Sequence, residues 1–108
     1  MQMATGVYTG DGAATQAIVG VGFRPRMVWI CYQGEQVAPA DGISMGFKTD
    51  QDGLFAAFYR TGGAGGCKYD NDTIISLDAD GFTVGDSSAF FTKYFNTLGW
   101  DYTYIAWS

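Results

Sequence analysis

The chain has 108 residues, of which 47% are hydrophobic and 17% aromatic, enough for one domain with its own core and too apolar for a disordered protein. Its net charge of −5, with six basic residues that do not cluster, argues against a nucleic-acid partner. No segment is long and apolar enough to insert into a membrane, and the N-terminus lacks the charged start and apolar run of a signal peptide.

Turn-forming residues recur at short spacing along the whole chain. There are 16 glycines against two prolines, and nothing has a helical period. This pattern is typical of short strands joined by tight turns. We therefore expect an all-β fold, an antiparallel two-sheet β-sandwich of about eight short strands, formed as a single domain by residues 1–108.

The N-terminal third begins with two predicted strands. Residues 4–9 form the first, closed by the glycine turn at residues 10–12. Residues 15–19 alternate polar and apolar side chains, which predicts a half-buried second strand. Pro25 then interrupts the hydrogen-bonding ladder, because proline has no amide hydrogen to donate.

The most apolar strand is predicted at residues 27–32. Side chains alternate between the two faces of a strand, so Val28 and Ile30 share one face while Trp29 and Cys31 share the other. Both faces carry bulky side chains. We expect both to be covered.

Four further strands are predicted at residues 43–49, 54–59, 73–77 and 81–84. The first two flank residues 50–53 and the last two flank residues 78–81, and in each case an Asp-Gly pair indicates a hairpin turn. Residues 87–96 are aromatic without regular alternation, and the sequence leaves them as either an irregular loop or a short extra strand.

The C-terminal segment, residues 100–107, is rich in aromatic and β-branched residues and contains no glycine or proline. Tyr102 and Tyr104 lie on one face and Ile105 and Trp107 on the other. We expect a central strand, with one face on the core and the other against a second sheet or a neighbouring subunit.

The residue types needed for catalysis are largely missing. The chain has no histidine, which removes the usual general base of hydrolases. Two aspartate pairs, Asp70 with Asp72 and Asp78 with Asp80, have the chemistry of a glycosidase, but aspartates beside asparagine and glycine normally cap turns. We predict that the protein is not an enzyme.

No metal or cofactor site is predicted. Residues 50–53 and 78–81 resemble the first positions of a calcium loop, but the twelfth position is Thr61 in one and Ala89 in the other, where glutamate is expected. Both are better explained as hairpin turns, with Ca²⁺ binding left open. Cys31 and Cys67 are expected to be free thiols, with a disulfide as the alternative.

Aromatic residues near the C-terminus exceed what one sheet face of a small domain readily buries. Such residues stack on sugar rings or fill subunit interfaces, although an ordinary core is the alternative. The predicted ligand or partner contacts are Tyr94, Asn96, Trp100, Tyr102 and Tyr104.

Three segments together resemble small β-sandwich surface proteins of tailed-bacteriophage virions. Residues 22–30 fit the pattern GF-x-P-x-x-V-x-I, residues 75–85 fit D-GF-x-V-G, and residues 96–107 fit N-x-x-G-x-x-Y-x-Y-x-A-W. The matching residues run in order from Val7 to Trp107. A fainter similarity to the H-type lectin sandwich rests on Gly81-Phe82-Thr83-Val84 and on the closing aromatic strand.

The resemblance implies a structural protein of the virion, made in the bacterial cytoplasm. The first expectation is a fibre or spike component that attaches to a host surface, through a glycan. The alternatives are a capsid decoration protein and a free sugar-binding lectin. A homo-oligomer, with a trimer favoured, would bury Tyr102 and Tyr104 at its symmetry axis, and other virion proteins would be the remaining partners.

Overall fold

The computed structural model describes residues 1–33, 43–51, 56–60, 66–70, 74–85 and 95–108, with the backbone alone for residues 43–44, 56–60 and 66–70. It is an all-β structure. The strands are β1 (Met3–Thr9), β2 (Thr15–Ile18), β3 (Met27–Tyr32), β4 (Ile43–Thr49), β5 (Ala56–Arg60), β6 (Gly66–Asp70), β7 (Ile74–Asp78), β8 (Gly81–Gly85) and β9 (Asp101–Trp107).

The strands form two antiparallel sheets, as the sequence predicted. One has six strands in the order β1-β9-β3-β4-β5-β6, and the other has three in the order β2-β8-β7. Nine strands therefore lie within the described ranges instead of about eight, because β6 was not predicted. None of these ranges contains a helix long and apolar enough to span a membrane.

The C-terminal strand lies in the middle of the larger sheet. β9 pairs with β1 on one side and with β3 on the other, so that Tyr104 lies opposite both Gly6 and Ile30. The predicted central position is confirmed. A run of aromatic and β-branched residues without glycine or proline suits a strand that has hydrogen-bonded neighbours on both edges.

The core lies between the two sheets and is centred on Phe82 of β8. Its ring is fully buried and meets the rings of Tyr8 and Tyr104 edge-on, at centroid distances of 6.1 and 5.1 Å. Tyr102 stacks on Tyr8 at 5.1 Å. The two sheets are thus joined by aromatic rings from β1, β8 and β9.

A close approach explains the glycine at the centre of β1. A Cβ atom on Gly6 would lie 2.6 Å from the Tyr104 hydroxyl oxygen, closer than real Cβ atoms pack. Because Gly6 has no side chain, the Tyr104 ring can lie against β1 and also contact the Phe82 ring.

The second face of the larger sheet corrects one expectation. Trp29 and Cys31 were predicted to be covered, but Trp29 is 37% exposed and Cys31 is exposed. The three-stranded sheet packs on the opposite face, where Val28 and Ile30 are fully buried. Phe47 stacks beside Trp29 on this face, but no second sheet of the described chain covers them, so β3 alternates between buried and accessible residues instead of being covered on both sides.

Candidate ligand and partner surfaces

The burial of the predicted contact residues overturns part of that prediction. Asn96 and Tyr102 are fully buried and Tyr104 is 8% exposed, so none of the three presents a side chain to a partner. The physical reason is the direction of β9: the face carrying both tyrosines is the one that the β2-β8-β7 sheet covers. A trimer seam through Tyr102 and Tyr104 is therefore wrong. Tyr94 lies outside the described residues.

Asn96 acts as an internal clamp. Its side-chain Nδ2 donates to the Asp11 carboxylate at 2.7 Å and to the Ala13 carbonyl at 2.9 Å, and its Oδ1 accepts from the Asp11 amide at 3.1 Å. Its own carbonyl accepts from the Gly12 amide at 3.0 Å. Both polar atoms of the buried side chain thereby find partners, which holds the turn after β1 against the segment before β9.

We name these two segments, residues 10–13 and 95–100, the loop clamp. Besides the Asn96 contacts, the Gly10 amide donates to the Trp100 carbonyl at 2.8 Å and the Gly99 amide donates to the Gly10 carbonyl at 3.0 Å. The Tyr8 hydroxyl donates to the Phe95 carbonyl at 2.8 Å. Loops tied by this many hydrogen bonds form a firm base for any side chain that projects from them.

Two electrostatic effects accompany the clamp. Hydrogen bonds from the Ala13 amide and from the Asn96 side chain lower the pKa of Asp11 below its ordinary value of 3.8. Burial raises the pKa of the Tyr8 phenol well above 10.0, with a smaller contribution from Tyr102. Asp11 is thus a carboxylate and Tyr8 a neutral hydroxyl at neutral pH, the forms that these hydrogen bonds require.

Trp100 is the predicted contact residue that stays accessible among those described. Its indole stacks on the Tyr32 ring with a centroid distance of 4.2 Å and an interplanar angle of 18°, and both residues are half-buried. We name Tyr32 and Trp100 the aromatic pair. The next residue, Asp101, points to the other face of the sheet, where its carboxylate accepts from the Thr9 hydroxyl at 2.6 Å.

The chemistry of this region suits a sugar. An accessible aromatic surface can take the apolar face of a pyranose ring. Sequence reasoning missed Tyr32, which lies 68 positions before Trp100 in the sequence. The sequence feature that could have indicated Tyr32 is its position at the end of β3, the most apolar strand, which pairs with β9.

A cleft of about 250 Å³ opens elsewhere, at the edge where β4 approaches β7. Arg24 and Lys48 contribute cationic groups to it, and Lys48 is only 3% exposed. At its margin Arg26 Nε donates to the Asp50 carboxylate at 2.8 Å, which lowers the pKa of Asp50. The residues that line the cleft are Arg24, Lys48, Thr49, Asp50, Ile75, Ser76 and Leu77.

The acidic turn between β7 and β8 has a structural use. The Asp80 carboxylate accepts from the Gly20 and Gly22 amides at 3.0 and 2.7 Å, and Asp78 accepts from the hydroxyls of Ser76 and Thr83, each at 2.7 Å. The predicted hairpin turn at residues 78–81 is confirmed, since Asp78 pairs with Gly81. The Asp78 and Asp80 carboxylates are therefore occupied in holding backbone and hydroxyl groups.

The other residues considered for metal binding lie partly within the described ranges and partly outside them. Within the ranges that the structure describes, no three potential metal ligands form a group. Residues 52–53, Asp72 and the side chains of Asp70 and Cys67 lie outside the described residues. Cys31 is a free thiol on the surface.

Comparison with known protein families identifies the family to which the chain belongs. No curated protein and no solved structure matches this chain. A family model described as "Domain of unknown function (DUF7483)" matches residues 2–108, nearly the whole sequence. The chain therefore belongs to the DUF7483 family.

Proposed function

We propose that this protein is a non-enzymatic structural component on the surface of a tailed-phage or phage-like virion, part of a fibre or spike that attaches to a host-surface glycan. The observation that carries the proposal is the aromatic pair, Tyr32 and Trp100, which lies half-exposed beside the loop clamp. The resemblance of three ordered sequence segments to phage surface proteins supports the same conclusion.

The geometry suits a binding site that is formed before the ligand arrives. Trp100 belongs to the loop clamp, and its backbone carbonyl is held by the Gly10 amide at 2.8 Å. Its ring is fixed by Tyr32, which also meets Tyr102 at 5.8 Å. A platform already ordered in the free protein loses little conformational entropy on binding, which favours affinity for a weakly interacting ligand such as a sugar.

A binding assay on host cells or on immobilised host-surface glycan tests the proposal. Trp100→Ala and Tyr32→Ala are expected to reduce saturable binding at least tenfold while the fold is kept. Leu98→Ala is the matched control, because Leu98 is an apolar residue of the same loop that is 73% exposed and outside the aromatic pair. Binding that is unchanged in both aromatic variants contradicts attachment through this surface.

A second candidate, a capsid decoration protein, is favoured by a different feature. The accessible face of the six-stranded sheet carries large apolar residues, including Trp29 at 37% and Met45 at 37% exposed. Such a face suits contact with other proteins more than with sugars. Capsids that release their contents at a lower temperature when this protein is missing would favour decoration over attachment.

A free lectin is the third candidate and uses the same aromatic pair without a particle. Self-association is also part of the proposal, but it needs a surface other than the buried tyrosines. Sugar binding in the absence of any association with particles would favour the lectin. In all three candidate functions the protein acts by binding a partner through its surface.

A further inference from the structure

We propose that two copies of this chain pair face to face through the accessible side of the six-stranded sheet. We name this side the outer face. Its described residues are Met3, Thr5, Val7 and Thr9 of β1, Asp101, Thr103, Ile105 and Trp107 of β9, Met27, Trp29 and Cys31 of β3, and Met45, Phe47 and Thr49 of β4. This proposal specifies the surface for the self-association that forms part of the proposed function. It does not depend on whether the protein is located on a virion.

The strand register makes the apolar residues of this face continuous. Ile105 lies opposite Trp29, and Trp29 lies opposite Phe47, with the two rings stacked at 5.7 Å and 20°. Neighbouring rows add Val7, 59% exposed, and Met3, 64% exposed. Scattered exposed apolar residues are normal on a protein surface, but connected rows across four strands indicate an interface.

The low charge of the outer face favours a second copy as its partner. A two-fold interface sets each residue against residues of the same surface, so a charged face repels its own copy. The whole chain carries a net charge of −5, yet among the described outer-face residues only Asp101 is charged, and it lies at the end of the face where it accepts from Thr9. This face can meet its copy without placing like charges in the centre.

The size of the face fits a modest dimer. Strands spaced about 4.8 Å apart, with about 3.3 Å per residue, give a footprint of roughly 380 Å² for the four strands whose outer side chains are described. The two further strands of the sheet extend it to roughly 580 Å². A standard interface uses about 800 Å² of accessible surface per partner, so we expect dissociation in the micromolar range.

The breadth of the face favours a pair over a trimer. Three sheets around a three-fold axis would each contribute a narrow stripe, whereas the apolar rows here cross β1, β9, β3 and β4. Two sheets pack face to face about 10 Å apart with their side chains interdigitated, as they do inside a sandwich. A dimer would therefore form a four-layer stack with the two larger sheets in the middle.

Sedimentation velocity of the full chain at about 1 to 200 μM tests the proposal. We expect the dimer fraction to rise with concentration, and Trp29→Glu to remain monomeric throughout. Val7→Glu and Val19→Glu form a matched pair, because both valines are exposed, at 59% and 72%, but only Val7 lies on the outer face. Val7→Glu should weaken pairing at least tenfold, while Val19→Glu should pair as the parent does.

Chemical modification of the Cys31 thiol is an independent test of whether the outer face is covered. With Cys67→Ser as the background, the rate of maleimide modification at Cys31 should fall as the protein concentration rises, because pairing covers the thiol. Introducing Val7→Glu should remove that concentration dependence. Circular dichroism and the thermal midpoint confirm that each variant is folded.

Several results would overturn the proposal: a parent that stays monomeric at 200 μM, a parent that forms trimers, or outer-face variants that associate like the parent. Binding to host cells and the location on a particle are measured separately from sedimentation. Failure of the dimer and failure of the proposed function can therefore be distinguished.

Discussion

Replacing Asn96 by alanine tests whether the loop clamp holds one end of the sandwich together. Asn96 is fully buried, and its side chain makes three hydrogen bonds, at 2.7, 2.9 and 3.1 Å, one of them to the charged Asp11 carboxylate. A net contribution of about 1 kcal/mol for a neutral hydrogen bond, and somewhat more for one to a charged group, gives a loss of roughly 2 to 4 kcal/mol. For a domain of this size that corresponds to a fall in Tm of roughly 10 to 20 °C.

Chemical denaturation with urea measures this loss directly. Asn96→Ala should lower the transition midpoint with little change in its slope, since the surface exposed on unfolding hardly changes. Leu98→Ala is the control from the same segment: Leu98 is 73% exposed, so its truncation should change the free energy of unfolding by no more than about 0.5 kcal/mol. An Asn96→Ala variant within about 0.5 kcal/mol of the parent would refute the clamp.

The remaining predictions concern the core and the acid range. Gly6→Ala should cost roughly 1 to 3 kcal/mol, because its new methyl group meets the Tyr104 ring, whereas Val7→Ala on the same strand should cost little; thermal unfolding compares them. Phe82→Ala should cost about 3 to 5 kcal/mol, measured by urea unfolding, and a cost below 1 kcal/mol would contradict a core centred on that ring. Asp11 has a folded-state pKa below 3.8, so its stabilising effect is complete above that pH and is lost as the pH falls through the folded pKa. The stability difference between the parent and Asp11→Asn should therefore be largest at neutral pH and shrink as the pH falls through the folded pKa, below 3.8; a difference that does not change with pH would contradict the account.

Periodicity was sufficient to predict the architecture. Alternating side chains, glycine turns and the aromatic C-terminal run predict two antiparallel sheets with a central C-terminal strand, and the structure shows that its neighbours are β1 and β3. Local pattern does not say which face of a strand a second sheet covers. Trp29 looks as suitable for burial as Ile30, and only the pairing of β2, β7 and β8 into one small sheet leaves it exposed.

The same limitation explains the errors at the predicted contact residues. Tyr102 and Tyr104 were predicted to face a partner because aromatic residues exceed what a small sheet buries, but Tyr8 packs on Tyr102 and Phe82 packs on Tyr104 inside the core. Asn96 belongs to a network with Asp11, 85 positions away, which no local signal reveals. Long-range pairing also brings Tyr32 to Trp100, so the aromatic pair could not be recognised from either segment alone.

The proposed function has a consequence that can be seen on whole particles. Gold-labelled antibody against this protein, viewed by electron microscopy on purified phage or phage-like particles, tests it most directly. We expect label at the tail tip or on protruding spikes, as attachment to a host surface requires. Label spread over the head would identify a decoration protein instead, and particles without any label would contradict a place on the virion.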